Sequence, residues 1–390
     1  MSDICELCNR AALELAYVPE STARGLKVHV CEHCGLLQSL PRIDRATRAP
    51  AAVSGGADWG NVRYGKGFRT RIAIAALSRH IALSDDLALL DVGSNRGSFA
   101  RAFLELCDDA SIVAVEPDER VADSCKDLPR TELIHARIED AALESERFDI
   151  VHSCHTIEHL AHPAKTLRDH WRVLKPGGLL VLDAPNVALL GSDDIVEEWF
   201  IDKHLYHFSA RTMMRMVTAC GFDIVEAPDL NDAENLLIVA RKVEAQNHSI
   251  AADPREVASA CDLVAAYGTA RARNLSALTL VAAEISRLAP KGVAVWGAGR
   301  LFDALVVHGG FDPAGLSLLV DKHLQQHMGE RHGAKLRAPA DIATTKPGAI
   351  IVMSRGFATE IIAEARNLAP NAEIYTYSDL LNQARTARAA

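Results

Sequence analysis

The sequence lacks three features that would assign it to large classes of protein. No apolar run among its 390 residues approaches the roughly 20 residues that a membrane span requires. The formal net charge is -9, and no stripe of basic and aromatic residues is present, so a nucleic-acid partner is not expected. The first residues, MSDICELCNR, lack the basic and then apolar segments of a secretory signal. We therefore expect a cytoplasmic protein without a membrane partner.

Nine cysteines are present, and a cytoplasmic location predicts that they are reduced or metal-bound. Four of them form two Cys-x2-Cys pairs, Cys5 with Cys8 and Cys31 with Cys34, with 22 residues between the pairs. Each pair can form a tight knuckle that directs two thiolates to one point, and two knuckles complete a tetrahedral zinc site. Four cysteine ligands leave no position open. The pattern therefore predicts a structural zinc ribbon over residues 1–45, and the alternative is four incidental thiols.

Apolar strands alternate with helices along the rest of the chain, which indicates an α/β fold. Between residues 87 and 242, buried strands separated by helices predict a largely parallel, doubly wound sheet. We place this Rossmann-like core at residues 46–245. A break in the pattern near residue 245 and a long amphipathic helix over about 254–289 precede a second set of strands and helices. This second set predicts a smaller Rossmann-like domain at residues 246–390.

The first strand of the core is followed by a polar, glycine-containing turn. The stretch LLDVGSNRGSFARAFLEL contains Asp91, Gly93, Asn95 and Gly97 and then continues as an amphipathic helix. A strand, a tight turn and a helix N-terminus together form a polar nest for part of a nucleotide-like ligand. Nineteen residues after Gly97 the next strand ends in Glu116, whose carboxylate can accept hydrogen bonds from both hydroxyls of a ribose.

Two features of this turn favour S-adenosylmethionine over a dinucleotide. Asp91 would repel a pyrophosphate but suits a ligand with an ammonium or sulfonium group. Ser98 occupies the position of the third glycine in a dinucleotide fingerprint. Further candidate cofactor contacts lie elsewhere in the core, each with an alternative role, and they are Tyr64 (a lid or a packing aromatic) and Glu139 and Asp140 (adenine contacts or a solvated acidic turn).

Five segments in order resemble a class I S-adenosylmethionine-dependent methyltransferase: DVGSNRG, VEPDE, FDIVHSCHTIEHLAHP, LKPGGLLVLDAPN and HLYHFSARTM. More narrowly, the chain is similar to the sugar C-methyltransferase family, in which a cysteine zinc ribbon precedes a methyltransferase core and a C-terminal Rossmann-like domain. Asn95 in the glycine turn is typical of that family. The resemblance implies S-adenosylmethionine as cofactor, a structural zinc, and a sugar or nucleotide-sugar as the small-molecule acceptor.

Seven of the 16 histidines lie between residues 152 and 207. His155, His159 and His162 would share one face if their segment were helical, which suits either a catalytic metal or packing. The resemblance singles out His159 and His204, which match positions that the family uses near its substrate. An imidazole with a pKa near 6.5 can accept a proton at neutral pH. Residues 201–203 differ from the family's sequence before His204, so methylation at carbon and at oxygen both stay open.

The C-terminal domain repeats the strand, glycine turn and helix at Gly297 and Gly299, and Asp321 ends its next strand. Three interpretations are open: a scaffold, a phosphate contact with a nucleotide-linked substrate through Arg300 and Arg355, or an NAD(P) site. The function expected first is therefore a methyltransferase. The competing functions are a zinc-ribbon protein that binds or modifies nucleic acid and an NAD(P)-dependent sugar oxidoreductase.

Overall fold

The computed structural model describes residues 4–20, 25–42, 68–84, 86–118, 123–190, 194–197, 199–200, 204–229, 235–244, 249–354 and 357–389. In these ranges, none of the helices has the length and apolar character needed to cross a bilayer. Tyr64, residues 201–203 and Arg355, all considered above, lie outside the described residues.

The described residues form strands and helices at nearly all the predicted positions. The strands are β1 (Leu13–Tyr17), β2 (Lys27–Cys31), β3 (Leu37–Leu40), β4 (Ala88–Val92), β5 (Ser111–Val115), β6 (Thr131–Ile134), β7 (Phe148–Cys154), β8 (Leu174–Asp183), β9 (Tyr206–His207), β10 (Phe222–Glu226), β11 (Ile238–Lys242), β12 (Val293–Trp296), β13 (Leu318–Val320), β14 (Glu330–Arg331), β15 (Ala334–Arg337), β16 (Ala349–Val352) and β17 (Glu373–Thr376). The α-helices are α1 (Phe68–Leu77), α2 (Ser98–Leu104), α3 (Pro163–Val173), α4 (Ala210–Ala219), α5 (Pro254–Leu288), α6 (Arg300–Gly309), α7 (Asp341–Thr345), α8 (Ala358–Leu368) and α9 (Tyr377–Ala389).

A seven-stranded sheet forms the core of the first half of the chain, in the order β10-β11-β8-β7-β4-β5-β6. The strands from β8 to β6 are parallel, while β11 and β10 are antiparallel to their neighbours. Successive residues contribute to apolar clusters on opposite faces, so that Leu89 and Leu90 belong to different clusters. Because both faces are covered, the central strands are apolar along most of their length. The predicted Rossmann-like class I methyltransferase fold is confirmed.

The chain leaves β4 to form β5 on one side and later forms β7 on the other side of β4. Ligands of open α/β sheets bind beyond the carboxyl ends of the strands where the strand order reverses in this way. The glycine turn follows β4, and the histidine-rich segment follows β7. The topology therefore brings both predicted site segments to the same edge of the sheet.

The N-terminal strands do not form a sheet on their own. They pair in the order β1-β2-β3-β9, all antiparallel, and β9 comes from the segment directly after His204. Leu37 pairs with His207 and Gln38 with Tyr206. The N-terminal sheet is therefore completed by residues that lie between β8 and α4 of the methyltransferase core.

The C-terminal sheet has the order β14-β15-β13-β12-β16-β17. Its strands are parallel except for β14, and helices connect most of them, as the sequence predicts. The chain divides into two units, one comprising residues 1–190 and 199–265 and the other residues 191–198 and 266–390. The predicted boundary between residues 45 and 46 lies outside the described residues.

Candidate functional site

The glycine turn after β4 has a backbone that only a few residue types adopt. Gly93, Asn95 and Gly97 have φ angles of 68°, 49° and 71°. Glycine takes such values without strain, and asparagine is one of the few other residues that tolerates them. At Gly97 a side chain would also lack space, because a Cβ would lie 2.8 Å from the Sγ of Cys125 and 3.2 Å from Leu128. Conformation and space together require glycine at position 97.

Glu116 closes the turn from the neighbouring strand. Its Oε2 accepts a hydrogen bond of 2.9 Å from the amide of Asn95, and its Oε1 accepts one of 2.9 Å from the amide of Asp118. The side chain is buried, and burial raises its pKa. A carboxylate has about four lone-pair positions, so two amide bonds leave capacity for two ribose hydroxyls. The position agrees with the predicted cofactor contact and adds a structural role to it.

Asp91 faces the adjacent strand. It is 1% exposed, and its Oδ1 lies 2.7 Å from the Nδ1 of His152, its direct register partner on β7. The imidazole of His152 stacks on Phe99 with ring centroids 3.6 Å apart. The sequence analysis expected Asp91 to face a cationic ligand and did not foresee His152 as its partner. No hydrogen bond from the described residues reaches the other carboxylate oxygen, Oδ2.

The other two predicted adenine contacts lie on a short 3₁₀ turn, Ile138–Asp140, after β6. Glu139 is half-buried and Asp140 is exposed. Both the adenine contact and the solvated turn remain open for these residues.

Beyond β7 and β8 the chain brings together two carboxylates, three imidazoles and a thiol. The group consists of Cys154, His155, Glu158, His159, Asp183 and His204. We call it the histidine–carboxylate cluster. Gly93 lies against the loop that carries part of this cluster, because a Cβ at Gly93 would collide with the hydroxyl of Thr156, the residue after His155. The cluster therefore borders the turn that is predicted to bind the cofactor.

One half of the cluster contains Cys154, His155 and Asp183. The thiol of Cys154 lies 3.6 Å from Oδ2 of Asp183, and the Nε2 of His155 lies 3.4 Å from Oδ1 of Asn235. The amide of His155 also donates to the carbonyl of Asp183 at 2.8 Å, which fixes the loop after β7 to the end of β8. Asp183 was not predicted, although it ends the apolar strand β8.

The other half of the cluster contains Glu158, His159 and His204. Oε1 of Glu158 lies 3.6 Å from both Nδ1 of His155 and Nε2 of His159. The rings of His159 and His204 have centroids 5.0 Å apart. The structure therefore brings the two predicted catalytic histidines together. It also places Glu158 beside two imidazoles.

Burial changes the proton affinities of the cluster. It raises the pKa of Glu158 to about 8 and that of Asp183 to about 6, because a charged carboxylate is disfavoured away from water. Burial and then the positive charge of Arg69 lower the pKa of His155 well below its ordinary value. Each of these groups is shifted towards its neutral form.

The helical interpretation of His155, His159 and His162 is wrong. His155 has a φ of 48°, residues Ile157–His159 form a 3₁₀ turn, and α3 begins only at Pro163. His162 turns away to Glu6, with Nδ1 2.9 Å from a carboxylate oxygen. The backbone before a proline disfavours the α conformation, so Pro163 was the signal that this segment would not be one helix.

His204 is held in place by its neighbour in the chain. The amide of Leu205 donates to the carbonyl of Glu158, and the carbonyl of Leu205 accepts from the amide of Ser39 on β3, both at 2.8 Å. Leu205 thus connects the cluster to the N-terminal sheet. The position of His204 therefore depends on the hydrogen bonds of Leu205 to Glu158 and to Ser39.

The four N-terminal cysteines converge on one point. Sγ of Cys5 lies 3.5 Å from Sγ of Cys34, Sγ of Cys8 lies 3.5 Å from Sγ of Cys31, and all four sulfurs lie within 4.8 Å of one another. Zinc–sulfur bonds of about 2.3 Å in a tetrahedron correspond to sulfur separations of about 3.8 Å. The arrangement therefore fits a zinc ion.

The two Cys-x2-Cys pairs have the same local structure. In each, the amide of the residue after the second cysteine donates to the carbonyl of the first: Asn9 to Cys5 at 2.9 Å and Gly35 to Cys31 at 2.8 Å. Asn9 and Gly35 both have positive φ angles. The two pairs are thus the knuckles that the spacing predicts.

In the C-terminal unit, Gly297 and Gly299 lie between β12 and α6. The amide of Ala298 donates to Oδ2 of Asp321 at 3.0 Å, and the amides of His323 and Leu324 donate to its Oδ1. Arg300 is the first residue of α6. None of the three interpretations of this turn is decided by these contacts.

Comparison with known proteins supports the assignment of the core. Residues 90–182 match the family model described as a methyltransferase domain. A probable S-adenosylmethionine-dependent methyltransferase, found in two strains of Mycobacterium tuberculosis, is 33% identical over 99 residues, which are 25% of this chain and 35% of the relative. The chain thus spans about a third of the length of the curated relatives that it matches.

Two of the solved structures to which this chain is similar are described as S-adenosylmethionine-dependent methyltransferases. One from Mesorhizobium loti has a TM-score of 0.38 and 17% identity, and the match covers 43% of this chain and 96% of that one. One from Aquifex aeolicus has a TM-score of 0.37 and 15% identity, and the match covers 44% and 89%. Residues 90–182 are thus similar to a methyltransferase domain.

Proposed function

With its methyltransferase domain as the premise, we propose that this chain transfers a methyl group from S-adenosylmethionine to a small-molecule acceptor, a sugar or nucleotide-sugar. The observation that carries the proposal is the contact between Gly93 and Thr156, which lies on the loop of His155, Glu158 and His159 inside the matched residues 90–182. A cofactor turn and groups that can bind an acceptor thus meet at one sheet edge. The sugar class rests on the resemblance of the domain order and motifs to the sugar C-methyltransferases.

The residues at the turn fit the cofactor. Glu116 would bind the ribose, and the Asp91 to Gly97 turn would bind the amino acid portion. Bound S-adenosylmethionine supplies an electrophilic methyl group on a sulfonium. The contribution of the chain is to align the acceptor with that methyl group and, where needed, to remove a proton.

His204 and His159 are the proposed proton acceptors. Both are partly exposed, so an acceptor molecule can reach their rings from solvent. Each ring is close to the other and to the buried Glu158. A neutral imidazole at either position can take a proton from the acceptor at neutral pH.

Cys5, Cys8, Cys31 and Cys34 are proposed to hold one structural zinc ion. The proposal is supported by the convergence of the four sulfurs and by the equal geometry of the two knuckles. With four thiolate ligands the ion has no open position, so it would stabilise the N-terminal sheet and take no part in methyl transfer.

The test measures cofactor binding and group transfer separately. Calorimetry of the full chain should show S-adenosylmethionine binding in about a one-to-one ratio, and NAD(P) binding in its place would support the oxidoreductase instead. Incubation with the cofactor and a pool of nucleotide-sugars should then yield a product heavier by one CH₂ group. Absence of cofactor binding in a folded, zinc-loaded protein would refute the proposed function.

A further inference from the structure

We propose that Glu158, His159 and His204 form a second metal site, which binds one divalent transition-metal ion beside the cofactor turn. This site is separate from the four cysteines. Its part in catalysis rests on the proposed function, since the ion would lie where the acceptor is proposed to bind. With the ion bound, His159 and His204 are its ligands and not the bases, and the proton of the acceptor passes to water.

The three side chains are close enough to share one ion. Their candidate ligand atoms all lie within 4.8 Å of one another, and Nε2 of His159 is 3.6 Å from Oε1 of Glu158. A metal with bonds of about 2.1 Å to nitrogen and oxygen sets its ligand atoms roughly 3 to 3.5 Å apart. Small side-chain rotations therefore bring the three residues to metal-binding distances.

Glu158 provides a second, independent observation. Its side chain is 1% exposed, and neither carboxylate oxygen receives a hydrogen bond from another described residue. Buried carboxylates are costly unless they are paired or coordinate a metal. A cation between Glu158 and the two imidazoles would remove this cost.

Arg69 offers a competing explanation for Glu158. The charge of its guanidinium acts on both Glu158 and Asp183. If that charge alone stabilises Glu158, the three residues will bind no metal. The two explanations differ in a measurable quantity, the number of ions bound per chain.

The ligand set indicates which ions would bind. Two imidazole nitrogens and one carboxylate oxygen suit zinc, iron(II), cobalt(II) and manganese(II), and such sets leave coordination positions open. Four thiolates, by contrast, favour zinc and bind manganese(II) poorly. The half-exposed rings of His159 and His204 leave the open positions of the ion accessible from solvent.

Backbone contacts hold the two parts of this site together. Glu158 and His159 lie on the 3₁₀ turn after β7, and the amide of Leu205, next to His204, donates to the carbonyl of Glu158 at 2.8 Å. Thr156, two residues before Glu158, lies against Gly93 of the cofactor turn. Hydrogen bonds that need no metal thus fix the backbone positions of the ligand residues.

An ion at this position selects an acceptor with adjacent oxygen atoms, such as the vicinal hydroxyls of a sugar. A metal-bound hydroxyl is more acidic and loses its proton to water more readily. The oxygen then forms a bond to the methyl carbon while the carbon–sulfur bond breaks, and the sulfonium leaves as a neutral thioether. The site therefore favours methylation at oxygen over carbon.

The test is a manganese(II) titration of the zinc-loaded full chain, followed by the electron paramagnetic resonance signal of free manganese(II). We expect one saturable ion per chain. Glu158→Gln keeps the shape of the side chain but removes its charge, and it should weaken binding at least about tenfold, as should His204→Ala. His162→Ala is the matched control, because His162 is an exposed histidine of the same loop that contacts Glu6, and it should bind manganese(II) normally.

No saturable manganese(II) binding by the wild-type chain, or equal affinity in Glu158→Gln, would overturn the proposal. Calorimetry with S-adenosylmethionine on the same samples separates this outcome from failure of the proposed function. A protein that binds cofactor without manganese(II) refutes only the metal site. A protein that binds manganese(II) without cofactor refutes the proposed function and leaves the metal site in place.

Discussion

The turn after β4 and the turn after β12 are closed by the same backbone contacts. The amides of Gly93 and Gly297 each donate to the last residue of the neighbouring strand, at 2.9 Å and 2.8 Å. A carboxylate follows that strand, Glu116 in one unit and Asp321 in the other. It accepts a hydrogen bond from a backbone amide of the turn. Since the backbones are alike, the fold alone cannot tell which of the two turns binds a ligand.

The side chains around the two turns are different. Two residues before Gly93 lies the buried Asp91, whereas two residues before Gly297 lies the buried Val295. The histidine–carboxylate cluster borders the first turn, and Met353 lies against the second, where a Cβ at Gly297 would be 2.5 Å from its carbonyl oxygen. The two turns thus share their backbone contacts. The charged and titratable side chains beside the first turn distinguish it, as the proposed site, from the second turn.

The largest effect is expected from a bulky side chain in the first turn. Gly97→Val should abolish detectable S-adenosylmethionine binding, because Gly97 has a φ of 71° and faces Cys125. Gly299→Val is the matched change in the second turn, where φ is negative and a Cβ would meet nothing within 4 Å. Calorimetry should show normal cofactor affinity in Gly299→Val. Circular dichroism would verify that both variants are folded, and equal loss of binding in both would contradict the assignment.

The second prediction concerns His204 of the cluster beside the first turn. If His204 takes part in the reaction, His204→Ala should bind cofactor normally but transfer methyl about 10²–10⁴-fold more slowly. His162→Ala should keep the wild-type rate. A steady-state comparison on the true acceptor decides between the roles. A fully active His204→Ala enzyme would remove this residue from the mechanism and leave His159 as the better candidate.

Local patterns predicted most of the fold, and long-range pairings set the details of the site. The stretch FDIVHSC, with its Phe, Ile and Val, predicts β7 with its observed bounds, because such residues favour strands. The contact between Asp91 and His152 depends on the register of two strands 61 residues apart. The pairing of Leu37 with His207 spans 170 residues. No local signal encodes such pairings, so the sequence predicted the four cysteines but not that their sheet reaches His204.

A smaller effect is expected from removing the carboxylates that close the two turns. Glu116→Ala should weaken S-adenosylmethionine binding about 10- to 100-fold, since hydrogen bonds to a charged group contribute roughly 1.5–3 kcal/mol. Asp321→Ala should leave that affinity unchanged and lower the stability of the C-terminal unit, because three amides lose their acceptor. Calorimetry and thermal unfolding measure the two effects. Weakened cofactor binding in Asp321→Ala alone would reverse the roles that we assign to the turns.

The last prediction tests whether the N-terminal sheet holds the segment of His204 in place beside the first turn. Wild-type protein should contain about one zinc per chain, and Cys31→Ser should lose it, since structural metal binding is coupled to local folding. β3 carries the Ser39 amide that holds Leu205, so loss of the metal should loosen the segment of His204. Cofactor affinity should change little, because the amide of Asn95 in the first turn donates to Glu116. We therefore expect methyl transfer to fall about tenfold, which is less than for a lost general base.

Cys261→Ser is the matched control for this change, because Cys261 is exposed and lies outside the four-cysteine group. It should retain the zinc and the full transfer rate. Elemental analysis, calorimetry and a transfer assay on the same preparations separate the three quantities. If Cys31→Ser lost its zinc but transferred methyl at the wild-type rate, the hydrogen bonds through Leu205 would have no influence on His204. Equal loss of cofactor binding and of transfer would instead show that the zinc site stabilises the entire first unit, with both the turn and the cluster depending on it.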